Sequence, residues 1–263
     1  MSKTEKELAF LRDLYIETDW TERFTNIFDD NYTFSDEEKI LYVNAGAGNH
    51  ALAVREKLDD KIEIFGVSES RELLNIARAK ADAIQANVDF SIVYPSDKFD
   101  AVLADASLIK PTEALNLLAK CVKSAKKQVA FLLPTASSFG EIYSLLWETF
   151  LNLDMLEKGA EIERLIIELP TILKVEETAK DLGLTKIETI VKSEFFDFDD
   201  GDAFVNSPLA ADFLLPAWLD FLSADEQRQV IKKFAETIDE DCAGTNFQFS
   251  VKATLLVGEK TVK

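Results

Sequence analysis

Lys39 to Asn49 reads KILYVNAGAGN. Residues 40–43 are a short apolar run rich in β-branched and aromatic side chains, which is typical of a buried parallel strand. The small residues at 44–48 indicate a glycine-rich turn, and Leu52 and Val54 indicate a helix after it. This order suits a nucleotide-like ligand, because glycine lets the backbone approach closely and the helix N-terminus offers unpaired N–H donors.

The next apolar run predicts a second strand that ends at the same site. Residues 62–67 (IEIFGV) stop at Ser68-Glu69-Ser70. In a doubly wound sheet the second strand ends beside the ribose of the ligand, where an acidic side chain accepts the hydroxyl hydrogen bonds. Glu69 follows Gly46 at close to the ~20-residue spacing expected for such an acid.

The two segments ILYVNAGAGNHAL and FGVSESRELLNIARAKA together resemble the first two motifs of class I S-adenosylmethionine-dependent methyltransferases. The resemblance implies an α/β, Rossmann-like sheet of seven mostly parallel strands, with the last strand antiparallel between the fifth and sixth. It also implies S-adenosyl-L-methionine as cofactor. The residues that it implies for cofactor binding are Asn44, Ala45, Gly46, Gly48, Ser68, Glu69 and, at the end of the fourth strand, Asp105.

Three polar positions depart from the family pattern. The family usually has an acid two positions before a G-x-G-x-G, and here Tyr42 stands at the acid and Asn44 at the first glycine. At the second strand, Ser68 stands at the usual acid, and Glu69 follows one position later.

The remaining chain predicts more alternating strands and helices. The further strands are expected at 88–93, 99–104, 128–133, 185–198 and 247–257. We expect a single domain of residues 1–263, with a helical cap contributed by about 1–35, 137–165 and 200–243. The long helical insertion before the final strand resembles the small-molecule branch related to ubiquinone-pathway and malonyl-carrier methyltransferases.

The N-terminal residues predict helices before the first strand. Leu8, Leu11, Leu14 and Tyr15 recur at helical spacing, which predicts a first helix. Such helices either form a lid over the cofactor or cover an edge of the sheet.

Four residues are candidates for the substrate pocket: His50, Phe139, Tyr143 and Trp147. The three aromatic residues recur every fourth position, so they are expected on one helix face, either as core or as an apolar wall for the substrate. His50, the only histidine, is either a structural hydrogen-bonding residue or a general base. No residue is assigned a catalytic role.

Composition limits the classes of partner. The chain has 263 residues and a formal net charge of -19, which disfavours nucleic acid and anionic lipid as ligands. Two cysteines predict no disulfide framework, and with no apparent secretory signal they favour a cytoplasmic protein. No apolar run approaches the ~20 residues of a membrane span. A single histidine makes a zinc site improbable, so no metal is expected.

The resemblance, together with these limits on partners, favours S-adenosylmethionine-dependent methyl transfer to a small or carrier-bound apolar acceptor. Two alternatives stay open. Gly46 to Ala51 also matches the G-x-G-x-x-A pattern of nicotinamide-dependent oxidoreductases. The replacements at Tyr42, Asn44 and Ser68 are also compatible with a non-catalytic binding scaffold of the same fold. Nothing in the sequence indicates an oligomeric state.

Overall fold

The computed structural model describes residues 3–34 and 37–260. The strands are β1 (Lys39–Val43), β2 (Glu63–Val67), β3 (Asp89–Ser91), β4 (Phe99–Asp105), β5 (Ala125–Pro134), β6 (Leu184–Phe198) and β7 (Phe247–Lys260). The α-helices are α1 (Glu5–Leu11), α2 (Glu22–Asn31), α3 (Asn49–Glu56), α4 (Arg71–Ile84), α5 (Pro111–Ser124), α6 (Gly140–Asn152), α7 (Gly159–Glu168), α8 (Ile172–Asp181), α9 (Gly201–Val205), α10 (Leu215–Trp218) and α11 (Ala224–Cys242). The described part of the chain also contains π-helical segments at Arg12–Thr21 and Leu209–Leu214 and a 3₁₀ turn at Leu156–Lys158.

Within the described residues, seven strands form one sheet in the order β3-β2-β1-β4-β5-β7-β6. Each neighbouring pair among strands β1 to β5 is parallel. Val43 at the end of β1 lies opposite Val67 of β2 and Ala104 of β4. The carboxyl ends of β1, β2 and β4 therefore meet at one edge, and the strand order reverses between β1 and β4. Ligands of open α/β sheets bind at this switch point.

The last strand lies between the fifth and sixth, as the resemblance implied. It runs antiparallel to β6, because Lys186 near the start of β6 pairs with Glu259 near the end of β7, while Asp197 near the end of β6 bonds Gln248 near the start of β7. The predicted mostly parallel α/β sheet is confirmed.

The chain folds into two compact units. The first comprises the described residues within Met1–Leu133, Ile172–Lys192 and Ala253–Lys263. Its core includes β1, β4 and β5 side chains such as Leu41, Val102 and Phe131, packed with Leu118 of α5 and Val175 of α8. Burial of these apolar surfaces is the main term that stabilises the sheet.

The second unit comprises Pro134–Thr171 and Ser193–Lys252. Its interior is aromatic: Phe249 of β7 lies within about 6 Å, centroid to centroid, of Phe196, Phe198, Phe204 and Phe139. The helices of this unit occupy much of the predicted cap ranges 137–165 and 200–243. Residues 1, 2 and 35 of the predicted cap range 1–35 lie outside the described residues. The single-domain organisation stays a prediction.

The helices predicted before the first strand are present, but the segment Arg12–Thr21 does not follow α-helical spacing. Leu14 and Tyr15 are 61% and 54% exposed, and the neighbouring Phe10 is 47% exposed. The residues that point inward are Ile16, Glu17 and Trp20. The cause is the π-helical segment Arg12–Thr21, because its wider turns shift the phase that a period of 3.6 residues assumes.

Two smaller observations concern cysteines and membrane spans. Cys121 and Cys242 are both free thiols. Among the helices of residues 3–34 and 37–260, none combines the length and the apolar character that crossing a bilayer requires.

The packing of β2 yields a stability prediction. A Cβ on Gly66 would lie 2.4 Å from Cδ1 of Phe90, whereas a Cβ on Gly140, at the start of α6, would meet nothing within 4 Å. We expect Gly66→Ala to lower the free energy of unfolding by about 1–3 kcal/mol through overpacking. The matched Gly140→Ala should be neutral or stabilising by up to about 1 kcal/mol. Urea unfolding of both variants checks this, and equal midpoints would contradict the close contact.

Candidate ligand-binding site

The loop between β1 and α3 has the backbone that its small residues allow. Asn44, Gly46 and Gly48 all have positive φ, at 56°, 55° and 86°. The Ala45 N–H donates to Val67 O at 2.8 Å, and the Gly48 N–H donates to Ala45 O at 2.8 Å. Left-handed residues are favourable mainly for glycine and asparagine, so the sequence specifies this turn locally.

The two glycines of the loop have different surroundings. A Cβ on Gly48 would lie 3.0 Å from Cβ of Ala77 in α4 and 3.0 Å from Cζ of Phe90 in β3. Gly48 therefore permits close packing of protein elements. A Cβ on Gly46 would instead lie 1.9 Å from Oε1 of Glu17. The absence of a side chain at Gly46 therefore leaves room for the carboxylate of Glu17.

Side chains from three strand ends converge on this loop. The Gly46 N–H donates to Glu69 Oε2 at 3.0 Å, and the Ser68 hydroxyl donates to Gly46 O at 3.0 Å. The Asn44 amide donates to Asp105 O at 2.8 Å, while the Asp105 carboxylate accepts the Ser107 N–H at 2.8 Å. All seven residues predicted for cofactor binding lie in the loop or in contact with it.

The N-terminal helices add two charged side chains that the sequence analysis did not identify. The Arg12 guanidinium pairs with Glu69 at 2.5 Å, and its Nε lies 3.5 Å from Oε1 of Glu17. The same Glu17 oxygen accepts the Ala47 N–H at 3.4 Å. Both side chains are largely buried, with 11% of Arg12 and 3% of Glu17 accessible.

Burial governs the protonation of this cluster. Desolvation raises the pKa of Glu17 to about 7, although Arg12 opposes the shift. Desolvation also raises the pKa of Asp105, against the hydrogen bonds from Ser107. Burial alone would lower the pKa of Arg12, but the carboxylates of Glu69, Glu17 and Asp105 raise it. One guanidinium thus faces three carboxylates in a space with little water.

His50 belongs to a separate hydrogen-bonded chain. Its Nδ1 lies 2.8 Å from the Tyr42 hydroxyl, and its Nε2 lies 3.2 Å from Oδ1 of Asp29. Burial raises the pKa of Tyr42 well above its ordinary value, so the phenol is neutral. Asp29 also pairs with Lys57 at 2.8 Å, and the bonds from His50 and Lys57 outweigh burial and lower its pKa to about 2. This geometry matches the structural alternative for His50, and its place in the substrate pocket stays a prediction.

The three predicted pocket aromatics lie in the second unit. The prediction that they share one helix face is wrong, because Phe139 precedes α6 in a left-handed conformation, with φ 63°. Phe139 and Tyr143 are buried against Trp218, with ring centroids 5.1 and 5.4 Å from it. Trp147 is 39% exposed.

Tyr143 and Trp147 line a cavity of about 460 Å³ in this unit. Its other walls include Ile162, Ile166 and Leu169. The indole of Trp147 packs against Gly159 of α7, where an added Cβ would lie 2.4 Å from its Cζ3. The cavity is mainly apolar and of a size that small ligands fill. Its use for substrate stays a prediction.

Among the described residues, no group of three or more histidine, cysteine or acidic side chains is arranged to hold a metal ion. The sequence analysis missed Arg12 and Glu17 because their five-residue separation does not match α-helical spacing. The π-helical turns of Arg12–Thr21 bring both side chains to the buried side of the segment.

The contact between Glu17 and Gly46 yields a double-mutant prediction. Gly46→Ala places a Cβ in the carboxylate and an ordinary residue at positive φ, so it should lower the free energy of unfolding by about 2 kcal/mol or more. In Gly46→Ala/Glu17→Ala the steric part disappears, so the two effects should differ from additivity by at least about 0.5 kcal/mol.

Urea unfolding of the single and double variants measures this coupling. The exposed Glu22, at the start of α2, supplies the control, because Gly46→Ala/Glu22→Ala should be additive. Additivity in the Glu17 pair as well would contradict the contact.

No model of a known protein family matches the sequence, and a search of curated proteins gives no match. Solved structures are similar in fold. One is a SAM-dependent methyltransferase from Geobacter sulfurreducens in complex with S-adenosyl-L-homocysteine, with a TM-score of 0.53 and 11% identity over 91% of each chain. Another is geranyl diphosphate C-methyltransferase from Streptomyces coelicolor in complex with Mg²⁺, geranyl diphosphate and S-adenosyl-L-homocysteine; its TM-score is 0.51 with 9% identity, over 99% of this chain and 85% of that one.

A third similar structure has another named activity. The [4+2]-cyclase SpnF gives a TM-score of 0.50 with 19% identity, over 92% of this chain and 81% of that one. At these identities the similarity concerns the fold. The sheet order, the loop after β1 and the solved structures agree on one conclusion: the chain has the fold of class I S-adenosylmethionine-dependent methyltransferases.

Proposed function

We propose that the protein transfers a methyl group from S-adenosyl-L-methionine to a small or carrier-bound, largely apolar acceptor. The observation that carries the proposal is the convergence of Gly46 and Glu69 at the switch point of the sheet. The methyltransferases with similar folds, which were crystallised with S-adenosyl-L-homocysteine, support the same cofactor.

The residues present fit this cofactor at two points. Because Gly46 has no side chain, the carboxylate of Glu17 lies directly against its backbone, and a ligand group can approach the backbone at the same point. The Glu69 carboxylate, at the end of β2, is an acceptor for ribose hydroxyls. Arg12 and Glu17 occupy the same region, so binding requires the Glu17 side chain to leave the loop.

The bound cofactor supplies a methyl group on a sulfonium, which is reactive without help from a metal. The role of this chain is then to hold donor and acceptor in line and to exclude water. Asn44, Ser68 and Asp105 fix the loop and strand ends through the hydrogen bonds described above, and so pre-organise the donor side. We assign the acceptor to the apolar cavity beside Tyr143 and Trp147.

A second candidate function has its own observation. Arg12 pairs with Glu69, and Glu17 accepts the Ala47 N–H of the loop, so these polar groups are paired by the protein itself. Such internal pairing is what a non-catalytic scaffold of this fold would have. The cyclase with a similar structure also illustrates that this fold hosts chemistry other than methyl transfer. Cofactor binding separates the two candidates.

Calorimetric titration with S-adenosyl-L-homocysteine tests the proposed function. We expect the wild-type protein to bind it at pH 8 and not to bind NAD⁺. Glu69→Gln should weaken binding by roughly 10- to 150-fold, because a hydrogen bond to a charged group contributes about 1.5–3 kcal/mol. Glu56→Gln, an exposed change at the end of α3, is the matched control and should leave the affinity unchanged.

The same titration of Trp147→Ala should give wild-type affinity, because that side chain is assigned to the acceptor. No binding of S-adenosyl-L-homocysteine by the wild-type protein would favour the scaffold and overturn the proposal. Preferential binding of NAD⁺ would favour the oxidoreductase alternative.

A further inference from the structure

The π-helical segment Arg12–Thr21 buries charged and apolar side chains together. It buries Arg12 and Glu17 beside Ile16 and Trp20, and it leaves the apolar Leu14 and Tyr15 exposed. Burying a charged group costs hydration free energy, and exposing apolar side chains forgoes hydrophobic stabilisation, so this conformation needs compensating contacts. π-helical turns are rare in proteins, and those that occur are often at functional sites.

The compensating contacts come from the ligand loop. Glu17 accepts the Ala47 N–H at 3.4 Å, and Arg12 pairs with Glu69 at 2.5 Å. Asp13 pairs with Lys80 of α4 on the adjacent turn. The arrangement is incomplete, because the buried Nε of Arg12 has no hydrogen-bond partner within the described residues. A carboxylate placed slightly closer than Glu17 would satisfy it.

We propose that Glu17 is an internal competitor for the ligand loop: its carboxylate occupies Gly46 and Ala47 while the segment Arg12–Thr21 is closed, and a ligand carrying its own carboxylate binds by displacing it. The identity of that ligand rests on the proposed function, since S-adenosyl-L-methionine ends in an amino-acid carboxylate. In the bound form that carboxylate takes over the vacated donors at Ala47 and Arg12.

Protonation sets the strength of the competitor. The titratable groups that face Glu17 are Arg12 on its own segment, Tyr42 of β1, Glu69 after β2 and Asp105 of β4. Glu17 also lines a cavity of about 250 Å³, whose walls include Glu22 and Asp29 of α2 and His50 of α3. Burial, reinforced by the carboxylates of Asp105 and Glu69, outweighs the attraction of Arg12 and raises the pKa of Glu17, so the closed segment favours a neutral Glu17.

The raised pKa of Glu17 makes the closure of the segment Arg12–Thr21 depend on pH. Closure raises the pKa of Glu17 from its ordinary value near 4.3 to about 7. The closed form is therefore favoured at low pH and loses this advantage as pH rises through 7. Between pH 6 and pH 8 the equilibrium for opening should increase by about tenfold.

Hydrogen exchange of the ligand-free protein tests the inference. After correction for intrinsic exchange rates, the protection of amides 12–21 should fall by about tenfold from pH 6 to pH 8, while protection in β1 and β4 stays constant. Glu17→Gln cannot ionise, so its protection should be independent of pH. Asp30→Asn, an exposed change on the adjoining helix α2, should behave as the wild type does.

Constant wild-type protection between pH 6 and pH 8 would overturn the inference, and this arm needs no variant to fold. Retention of the full pH effect in Glu17→Gln would also overturn it. The readout uses no ligand, so it is decided separately from the proposed function: failure to bind S-adenosyl-L-homocysteine overturns that function and leaves the exchange result standing.

Discussion

A buried carboxylate in van der Waals contact with a glycine explains most of what is unusual in this protein. Glu17 lies so close to Gly46 that no other residue type fits there. The buried Glu17 carboxylate is paired with Arg12, and Arg12 is in turn paired with Glu69. Glu69, which follows β2, accepts a hydrogen bond from the Gly46 N–H. The π-helical phase of Arg12–Thr21 is what points both charged side chains inward.

This cluster also gives a physical meaning to the departures from the methyltransferase pattern. Tyr42, at the position of the usual acid, is a neutral buried phenol that bonds His50, so it adds no further negative charge to a site that already contains three carboxylates. Ser68, at the position of the second acid, bonds the loop carbonyl of Gly46 and leaves the charged role to Glu69. Both replacements are consistent with a site in which Glu17 and Asp105 lie close together.

Much of the sheet and the ligand loop could be predicted from the sequence, because both depend on short-range patterns. Apolar runs ending at small or acidic residues located β1, β2 and β4, and two glycines located the turn. The N-terminal segment could not be predicted this way. A period of 3.6 residues does not place Arg12 and Glu17 on one side of a helix, and the π-helical turns of this segment bring both of them to the buried side. The face of Phe139 was missed for a similar reason, since its left-handed conformation before α6 is a backbone property that spacing does not encode.

The central claim is that Glu17 and the ligand use the same loop in turn. A crystal structure of the protein grown at pH 8 with S-adenosyl-L-homocysteine tests it most directly. The account predicts that the ligand's amino-acid end lies against Gly46 and Ala47, with its carboxylate near Arg12 and the Glu17 side chain moved off the loop. Ligand bound at this loop while Glu17 still accepts the Ala47 N–H, or ligand bound elsewhere on the chain, would contradict it.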